Sequence, residues 1–247
     1  MSIETDTDFT GMRRVGRVVA ATLARVRGEV RAGITTADLD DIALETLTAH
    51  GARSAPQLDY GFPGTICISV NDEAVHGIPG PRVLAGGDLV TIDVTAELDG
   101  YYADAAVTVA VQPVPPRVER LREAAEAAFW KALKLAVPGA PLWRVGAQVE
   151  AEVRRRGFRV IRDLAGHGIG RRIHEEPSVP NYRDPDARGR LTDGLVIALE
   201  PIVSMSSGRS RLLADGWTVA SADGGMTAHF EHTIIVRPRE PVVLTAA

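Results

Sequence analysis

The stretch LVTIDVTAELDGYYADAAVTVAV, Leu89–Val111, decides the fold. Asp99-Gly100 separates two runs rich in β-branched residues, and Asp-Gly is a favoured two-residue hairpin turn. With that turn, residues whose numbers sum to 199 pair across the strands, so Asp104 faces Thr95. Side chains repeat every two residues along a strand, so Asp93 joins them on one face, with its Cα roughly 7–8 Å from that of Asp104. A β-bulge would shift this register.

Two more carboxylates lie on strands that the pattern predicts to be buried. Glu200 follows the apolar run Val196–Leu199, and Glu231 lies inside the strand-like run HFEHTIIV, 229–236. An isolated pair of aspartates in a hairpin would favour a solvated face, but four carboxylates on buried strands repel each other and lose hydration. Divalent cations neutralise such a cluster. Carboxylates with one imidazole suit Mn, Fe, Co or Zn, and four carboxylates suit two ions ~3.5–4 Å apart better than one.

The segment GHGIGRRIHEEP, Gly166–Pro177, supplies that imidazole. His167 follows an apolar run and has a glycine on each side, which allows close approach to a ligand or an unusual φ. A phosphate-binding loop is the alternative, but no helical pattern and no lysine follow the glycines. His174 and His76 lack the spacing of ligands, and a lone loop histidine is more often structural. Beside a metal centre, however, such an imidazole can hydrogen-bond a scissile amide or a developing oxyanion.

A helix–helix–strand pattern occurs twice along the chain. Apolar spacing predicts helices over 10–31 and 37–49, then over 117–136 and on to Gly157. Corresponding features recur at an offset of 106 or 107 residues: the helix stops Gly33 and Gly139, the stops Gly51 and Gly157, and the strand ends Asp93 and Glu200. The tripeptide HGI also occurs twice, at 76–78 and 167–169. These repeats predict a duplicated unit with halves of about 10–112 and 117–240, joined at the proline-rich segment 113–116 and facing each other across a central cleft. The alternative is chance similarity between two α/β halves.

Composition indicates a globular protein and excludes several other classes. The chain has 247 residues, 45% of them hydrophobic, and a net charge of −4, which gives no basic field for nucleic acid. Its one cysteine, Cys67, cannot form an intrachain disulfide. Arginines interrupt the N-terminal segment, so it is not a signal peptide, and no apolar run reaches the length of a membrane span. We expect a cytoplasmic monomer, with 1–247 as a single catalytic domain and no membrane or nucleic-acid contact.

The ordered motifs VHGIPG, TIDVT, GHGIGRRIHEEP, LEP and FEHTIIV, with Asp104, resemble the type I methionine aminopeptidases of the "pita-bread" metallopeptidase family, over about residues 10–240. The resemblance implies an α+β pita-bread fold, with two pseudo-symmetric helix-helix-sheet halves around a curved antiparallel sheet. It also implies a central site of two divalent metal ions (Co, Mn, Fe or Zn). The implied ligands are Asp93, Asp104, His167, Glu200 and Glu231. In the family, the residues that match Asp104 and Glu231 bridge the two ions. The residue that matches Asp93 binds only the second ion, and those that match His167 and Glu200 bind only the first.

The implied activity is hydrolytic removal of the initiator methionine from newly made proteins, with a preference for a small second residue. By resemblance Glu200 moves the proton, His174 stabilises the carbonyl oxygen and His76 contacts the amide side. The implied walls of the methionine pocket are Phe62, Cys67, Ile173 and Trp217.

Three departures from the family pattern concern substrate preference and rate. The run QLDYGFPG is one residue short, so either Asp59 or Tyr60 takes the place of a pocket tyrosine. Ala198 stands where threonine is common, and His229 stands where glutamine is common. The alternatives are a same-fold aminopeptidase with another first-residue preference, such as an Xaa-Pro peptidase, or a non-catalytic protein that binds peptides or the ribosome.

Ribosome contact is also a candidate role for the basic residues. The run Arg154–Arg156 or the pair Arg13-Arg14 would supply it, although a solvated helix end is the simpler interpretation of the first.

Overall fold

Five helices and fifteen strands form over residues 1–246, which the computed structural model describes. The helices are α1 Asp6–Arg27, α2 Thr36–Ala49, α3 Ala55–Tyr60, α4 Pro116–Leu133 and α5 Leu142–Arg155. The strands are β1 Arg53–Ser54, β2 Cys67–Val70, β3 Glu73–Val75, β4 Leu89–Leu98, β5 Tyr101–Ala110, β6 Arg159–Val160, β7 Ala165–Gly168, β8 Glu175–Pro180, β9 Val196–Leu199, β10 Ile202–Ser204, β11 Ser210–Leu212, β12 Val219–Ser221, β13 Thr227–His229, β14 His232–Ile235 and β15 Val242–Val243. All of the described strand pairings are antiparallel.

The hairpin of β4 and β5 forms in the predicted register. Thr95 pairs with Asp104, and the pairing continues along both strands without a bulge. Asp99 and Gly100 have φ values of 53° and 79°, so both turn residues are left-handed, as a type I′ turn requires. The predicted register is therefore confirmed.

The helices cover one face of this hairpin and leave the carboxylates on the other. Ile92, Val94 and Ala96 are fully buried in a core with α1 and α2. Asp93 and Thr95 alternate with them and point away from the helices, into a cavity. Burying an aliphatic side chain contributes about 1.5–3 kcal/mol, so this core holds the acidic face in position.

Helix starts follow capping chemistry that the hydrophobic pattern alone misses. α1 begins at Asp6, four residues before the predicted start, because Thr5 and Asp8 form a capping box. Thr35 caps α2 in the same way with Asp38. Gly51 and Gly157 have positive φ directly after the caps of α2 and α5, so these two predicted stops are confirmed. Gly33 and Gly139 also have positive φ, but α1 ends at Arg27 and α4 at Leu133, so the predicted stops lie beyond the ends of these helices.

A second strand pair repeats the β4–β5 pairing. Leu199 pairs with His232 and Ile202 pairs with His229, so one register continues from β9–β14 into β10–β13. The strands are interrupted at Glu200-Pro201 because proline has no backbone N–H to donate. The prediction of one continuous strand over HFEHTIIV is therefore wrong, since β13 ends at His229 and β14 begins at His232.

Two threonine hydroxyls clamp β5 against this interrupted pair. The Thr108 hydroxyl donates to the His229 carbonyl and accepts from the His229 N–H, at 3.0 and 2.8 Å. The Thr233 hydroxyl accepts from the Asp104 N–H and donates to the Asp104 carbonyl, each at 2.8 Å. Between these clamps, Ala106 and Glu231 exchange two backbone hydrogen bonds. The clamps fix the first acidic strand pair against the second.

The two HGI tripeptides are not structural equivalents. His76 lies in a loop after β3 with a left-handed φ of 57°, whereas His167 lies within β7. This element of the sequence repeat is coincidental.

A buried glutamate joins α4 to α5. Glu152 is 2% exposed and accepts from Lys131 on α4 at 2.5 Å, and from Arg155 and Arg156 at the end of its own helix. The run 154–156 is a helix end with Arg154 and Arg155 exposed, as predicted, and Arg155 and Arg156 in addition form ion pairs with Glu152. Of the helices within residues 1–246, none combines the length and apolar character needed to cross a membrane.

Candidate metal centre and substrate cavity

One cavity of about 300 Å³ brings all five predicted ligands together. They come from five chain segments: Asp93 from β4, Asp104 from β5, His167 from β7, Glu200 immediately after β9, and Glu231 between β13 and β14. Asp104, Glu200 and Glu231 are 6%, 7% and 2% exposed. The strand interruptions described above therefore place two glutamates at the cavity.

The donor atoms form two groups that share Glu231. Asp104, His167 and Glu231 offer ligand atoms within 4.8 Å of one another, and so do Asp93, His229 and Glu231. His167 Nδ1 hydrogen-bonds the Gly168 carbonyl at 2.9 Å, which leaves Nε2 facing Glu200 Oε1 at 3.5 Å. A carbonyl-bonded Nδ1–H is the usual support of an imidazole that ligates through Nε2.

The electrostatics of this cluster call for cations. Burial raises the pKa of Asp93, Glu200 and Glu231 well above the ordinary carboxyl value, and the charge of Asp104 raises all three further. Within residues 1–246, Asp93 Oδ1, Asp104 Oδ1 and Glu231 Oε1 are buried without a hydrogen-bond partner. Buried polar atoms are normally satisfied, so these oxygens fit divalent ions as their missing partners.

His229 joins the cluster, and the sequence argument did not include it as a candidate ligand. It is 1% exposed, and its Nε2 lies 3.4 Å from Glu231 Oε2 and 3.6 Å from Glu200 Oε2. Burial lowers the pKa of His229 to about 3, so the ring is neutral at physiological pH. The signal was present in the sequence, because His229 and Glu231 are two residues apart on an extended segment and so point the same way.

The glycines beside His167 have a packing role rather than the predicted freedom of φ. A Cβ at Gly166 would lie 2.4 Å from the Ala198 carbonyl oxygen, and one at Gly168 would lie 2.2 Å from the Glu176 carbonyl oxygen. Neither glycine has a positive φ, so the predicted unusual φ is wrong at both positions, and the close approach that the glycines allow is to neighbouring backbone. Ala198 pairs directly with His167 across β7 and β9, which explains why the backbones are so close.

The two other predicted histidines lie at the mouth of the cavity. His76 and His174 are exposed and line it. The Tyr60 hydroxyl hydrogen-bonds His174 Nδ1 at 2.7 Å, which leaves Nε2 of that ring free to face a ligand. Asp59 instead accepts from the Tyr102 hydroxyl at 3.1 Å. Of the two candidates from the shortened run, Tyr60 therefore lines the cavity.

Apolar side chains line the same cavity as the ligands and form its apolar wall. Phe62, Cys67, Ile173 and Trp217, the four predicted pocket residues, all line the cavity. Phe62 and Trp217 meet edge to face with ring centroids 5.3 Å apart. Cys67 lies directly opposite Asp93 across β2 and β4, and burial raises the pKa of its thiol well above the usual value, so the thiol is neutral.

Comparison with known proteins identifies the family. The model of metallopeptidase family M24 matches residues 10–238. The chain belongs to this family. A methionine aminopeptidase of Clostridium perfringens is 41% identical over 243 residues, covering 98% of each chain, and methionine aminopeptidase 2 of Bacillus subtilis is 41% identical over 247 residues, covering 99% of each. The crystal structure of a methionine aminopeptidase from Thermotoga maritima superposes with a TM-score of 0.96 at 37% identity and covers all of both chains.

Membership of the M24 family confirms the α+β pita-bread fold and the use of metal that the motifs predicted. In this chain, the carboxylate oxygens without hydrogen-bond partners within residues 1–246 and the imidazoles that face the cavity fit a divalent ion.

Proposed function

We propose that this chain is a metal-dependent aminopeptidase that hydrolytically removes the N-terminal methionine from newly made proteins with a small second residue. One observation carries the proposal: a cluster of metal-ligand side chains and an apolar wall share a cavity of about 300 Å³. Pockets of this size that combine an apolar lining with a few convergent polar groups are typical of small-molecule sites. The relatives named methionine aminopeptidases, which match along nearly the whole chain, support this function over other peptidase activities.

The proposed ligands would hold two divalent ions of Co, Mn, Fe or Zn. Asp104 and Glu231 would serve both ions, Asp93 would serve one of them, and His167 and Glu200 would serve the other. Bound there, divalent ions supply Lewis acidity and lower the pKa of water. Oxygen-rich donors with imidazole suit these metals.

Glu200 is the proposed carrier of the proton at the reacting bond. Its carboxylate is 7% exposed and faces the cavity, and burial raises its pKa well above the ordinary value. A carboxyl group positioned beside the reacting bond can accept a proton and return it.

Two imidazoles at the mouth of the cavity orient the substrate. Because Tyr60 bonds Nδ1 of His174, the opposite nitrogen is available to hydrogen-bond the scissile carbonyl oxygen. His76, across the mouth, is the proposed partner of the amide nitrogen. In these roles the two side chains bind and align the peptide bond.

The apolar wall determines which first residue fits. Phe62, Ile173 and Trp217 provide a methionine-sized surface that excludes water, and Cys67 contributes a neutral thiol. Asp59 is held by Tyr102 outside the cavity, so no extra acid disfavours an apolar first side chain.

Peptide release tests the proposal. Metal-loaded protein is expected to release methionine from Met-Ala-Ser, to lose this activity with a chelator and to regain it when metal is added back. Leu-Ala-Ser and Ala-Pro-Ser test the first-residue preference and the Xaa-Pro alternative. Cleavage of Ala-Pro-Ser in preference to Met-Ala-Ser would contradict the proposal.

A pair of buried glutamates provides the matched variants. Glu200→Gln is expected to lower kcat for Met-Ala-Ser at least about 100-fold, as loss of a general acid–base group does. Glu152→Gln alters a glutamate that is 2% exposed but lies outside the cavity, so its kcat is expected to stay unchanged. Equal rates for Glu200→Gln and the wild type would refute the assigned role.

We further propose that the chain acts as a single catalytic domain. A monomeric state and a transient ribosome contact stay predictions. Arg14 pairs with Asp99 at 2.7 Å, while Arg155 and Arg156 hold Glu152, so a ribosome surface that used these arginines would compete with ion pairs inside the protein.

A further inference from the structure

The imidazole of His229 lies in the cavity of the proposed metal centre, and its ring nitrogens have no hydrogen-bond partner within residues 1–246. Both ring nitrogens are buried, and no side chain or backbone group in residues 1–246 bonds either of them. Leaving a buried polar atom unpaired costs about as much as losing a hydrogen bond, so an imidazole with two such atoms calls for a missing partner.

The position of the ring indicates what that partner is. Nε2 faces the two glutamate carboxylates that end the interrupted strands, at 3.4 Å from Glu231 and 3.6 Å from Glu200. These distances exceed the about 2.7–3.2 Å of an N–H···O hydrogen bond. Two donors bound to one ion at about 2.1 Å each lie roughly 3.0–3.4 Å apart, so the 3.4 Å between His229 Nε2 and Glu231 Oε2 is the spacing of neighbouring ligands.

The backbone fixes this arrangement. The N–H and the carbonyl of His229 are both bonded to the Thr108 hydroxyl, at 2.8 and 3.0 Å. The same strand-to-strand contact holds Glu231 two residues later through Ala106. The clamp therefore fixes the backbone of His229 beside the cavity, where its side chain is 1% exposed.

We propose that His229 is a sixth metal ligand of this chain, donating through Nε2 to the ion that Asp93 and Glu231 hold. The inference rests on the proposed metal centre and deepens it. Each of the two ion positions would then have one imidazole ligand, His167 at the first and His229 at the second. Imidazole suits Zn, Fe and similar ions better than Mn or Mg, so His229 favours those ions at this position.

Proton NMR of the cobalt-loaded wild-type protein tests the inference without a variant. Each imidazole bound to Co²⁺ through Nε2 keeps a proton on Nδ1, which gives an exchangeable signal far outside the normal range. We expect two such signals, from His167 and His229. Two bound ions with one signal would overturn the inference and leave the metal centre intact, whereas a protein that bound no ion would overturn both.

Metal titration of matched variants provides the second readout. Calorimetry of His229→Gln is expected to show at least about tenfold weaker Co²⁺ binding at one of the two positions and a smaller loss for Mn²⁺. His232→Gln is the control, because that ring is also buried, at 8% exposed, but its Nδ1 bonds the Thr245 hydroxyl at 2.9 Å. Unchanged Co²⁺ affinity in His229→Gln would refute the inference.

Discussion

The same substitution at two equally buried glutamates is expected to change stability in opposite directions. Glu152 and Glu231 are each 2% exposed. Glu152 is paired with a lysine and two arginines, and these bonds lower its pKa to about 2. Glu231 lies among other carboxylates, and burial followed by the charge of Asp104 raises its pKa well above the ordinary value. In metal-free protein, Glu→Gln therefore removes a favourable charge at one position and an unfavourable charge at the other.

The magnitudes follow from the partners that each carboxylate has. Glu231 Oε1 lacks a partner within residues 1–246, so Glu231→Gln is expected to increase the free energy of unfolding of the chelated protein at pH 8 by about 1–3 kcal/mol, the usual cost of such a group. Breaking a buried ion pair costs about 3–5 kcal/mol, but two partners of Glu152, Lys131 and Arg155, are largely exposed. Solvent screening reduces the expected loss in Glu152→Gln to about 1–3 kcal/mol.

The pH dependence of the two contributions also has opposite sign. Burial holds the folded-state pKa of Glu231 above its ordinary value of 4.5, so the folded chelated protein binds the extra proton and its stability falls as pH rises above that value. The folded-state pKa of Glu152 lies below 4.5, so its contribution is complete above that pH and is lost as pH falls toward 2.

Urea unfolding in the presence of a chelator, between pH 5 and pH 8, measures both effects. The wild type should lose stability toward pH 8, Glu231→Gln should lose less, and Glu152→Gln should be less stable than the wild type throughout. Similar m values are required for the comparison. If Glu231→Gln destabilised the chelated protein as much as Glu152→Gln does, the account of the cavity as a repulsive cluster would be wrong.

Two further predictions concern the loops around the site. Gly168→Ala is expected to reduce the free energy of unfolding by about 1–3 kcal/mol, because the new Cβ would lie 2.2 Å from the Glu176 carbonyl oxygen. Gly80 has open space around it, so the control Gly80→Ala should change the free energy of unfolding by no more than about 0.5 kcal/mol in the same urea assay. Tyr60→Phe removes the hydroxyl that hydrogen-bonds His174. Such a bond contributes about 1 kcal/mol, so kcat/KM for Met-Ala-Ser should fall about fivefold without a change in Tm. An unchanged kcat/KM would exclude a positioning role for Tyr60.

Local patterns in the sequence predict the acidic hairpin well. The Asp99-Gly100 turn sets the register by itself, and the two-residue repeat then places Asp93 and Asp104 on one face. Nothing in such patterns reports how sheets meet, so the clamps of Thr108 and Thr233 could not be foreseen.

Other features depended on contacts between distant segments. The role of Gly166 follows from the closeness of a backbone 32 residues further along the chain, at Ala198, which no local pattern contains. His229 was visible as a departure from the family pattern, but its part in the cavity required the interrupted strand that brings it beside Glu231. The choice between Asp59 and Tyr60 likewise needed the observed bonds of each side chain.

Of the five predicted ligands of the proposed centre, Asp93 and Asp104 precede the short segment 111–115 between β5 and α4, and the other three follow it. Gln112 and Pro113 in that segment are exposed, so the polypeptide can be opened there without disturbing a buried contact. Each resulting fragment would carry an incomplete set of donors, two from the first and three from the second. Metal capture by a mixture of the two fragments would then report their reassembly.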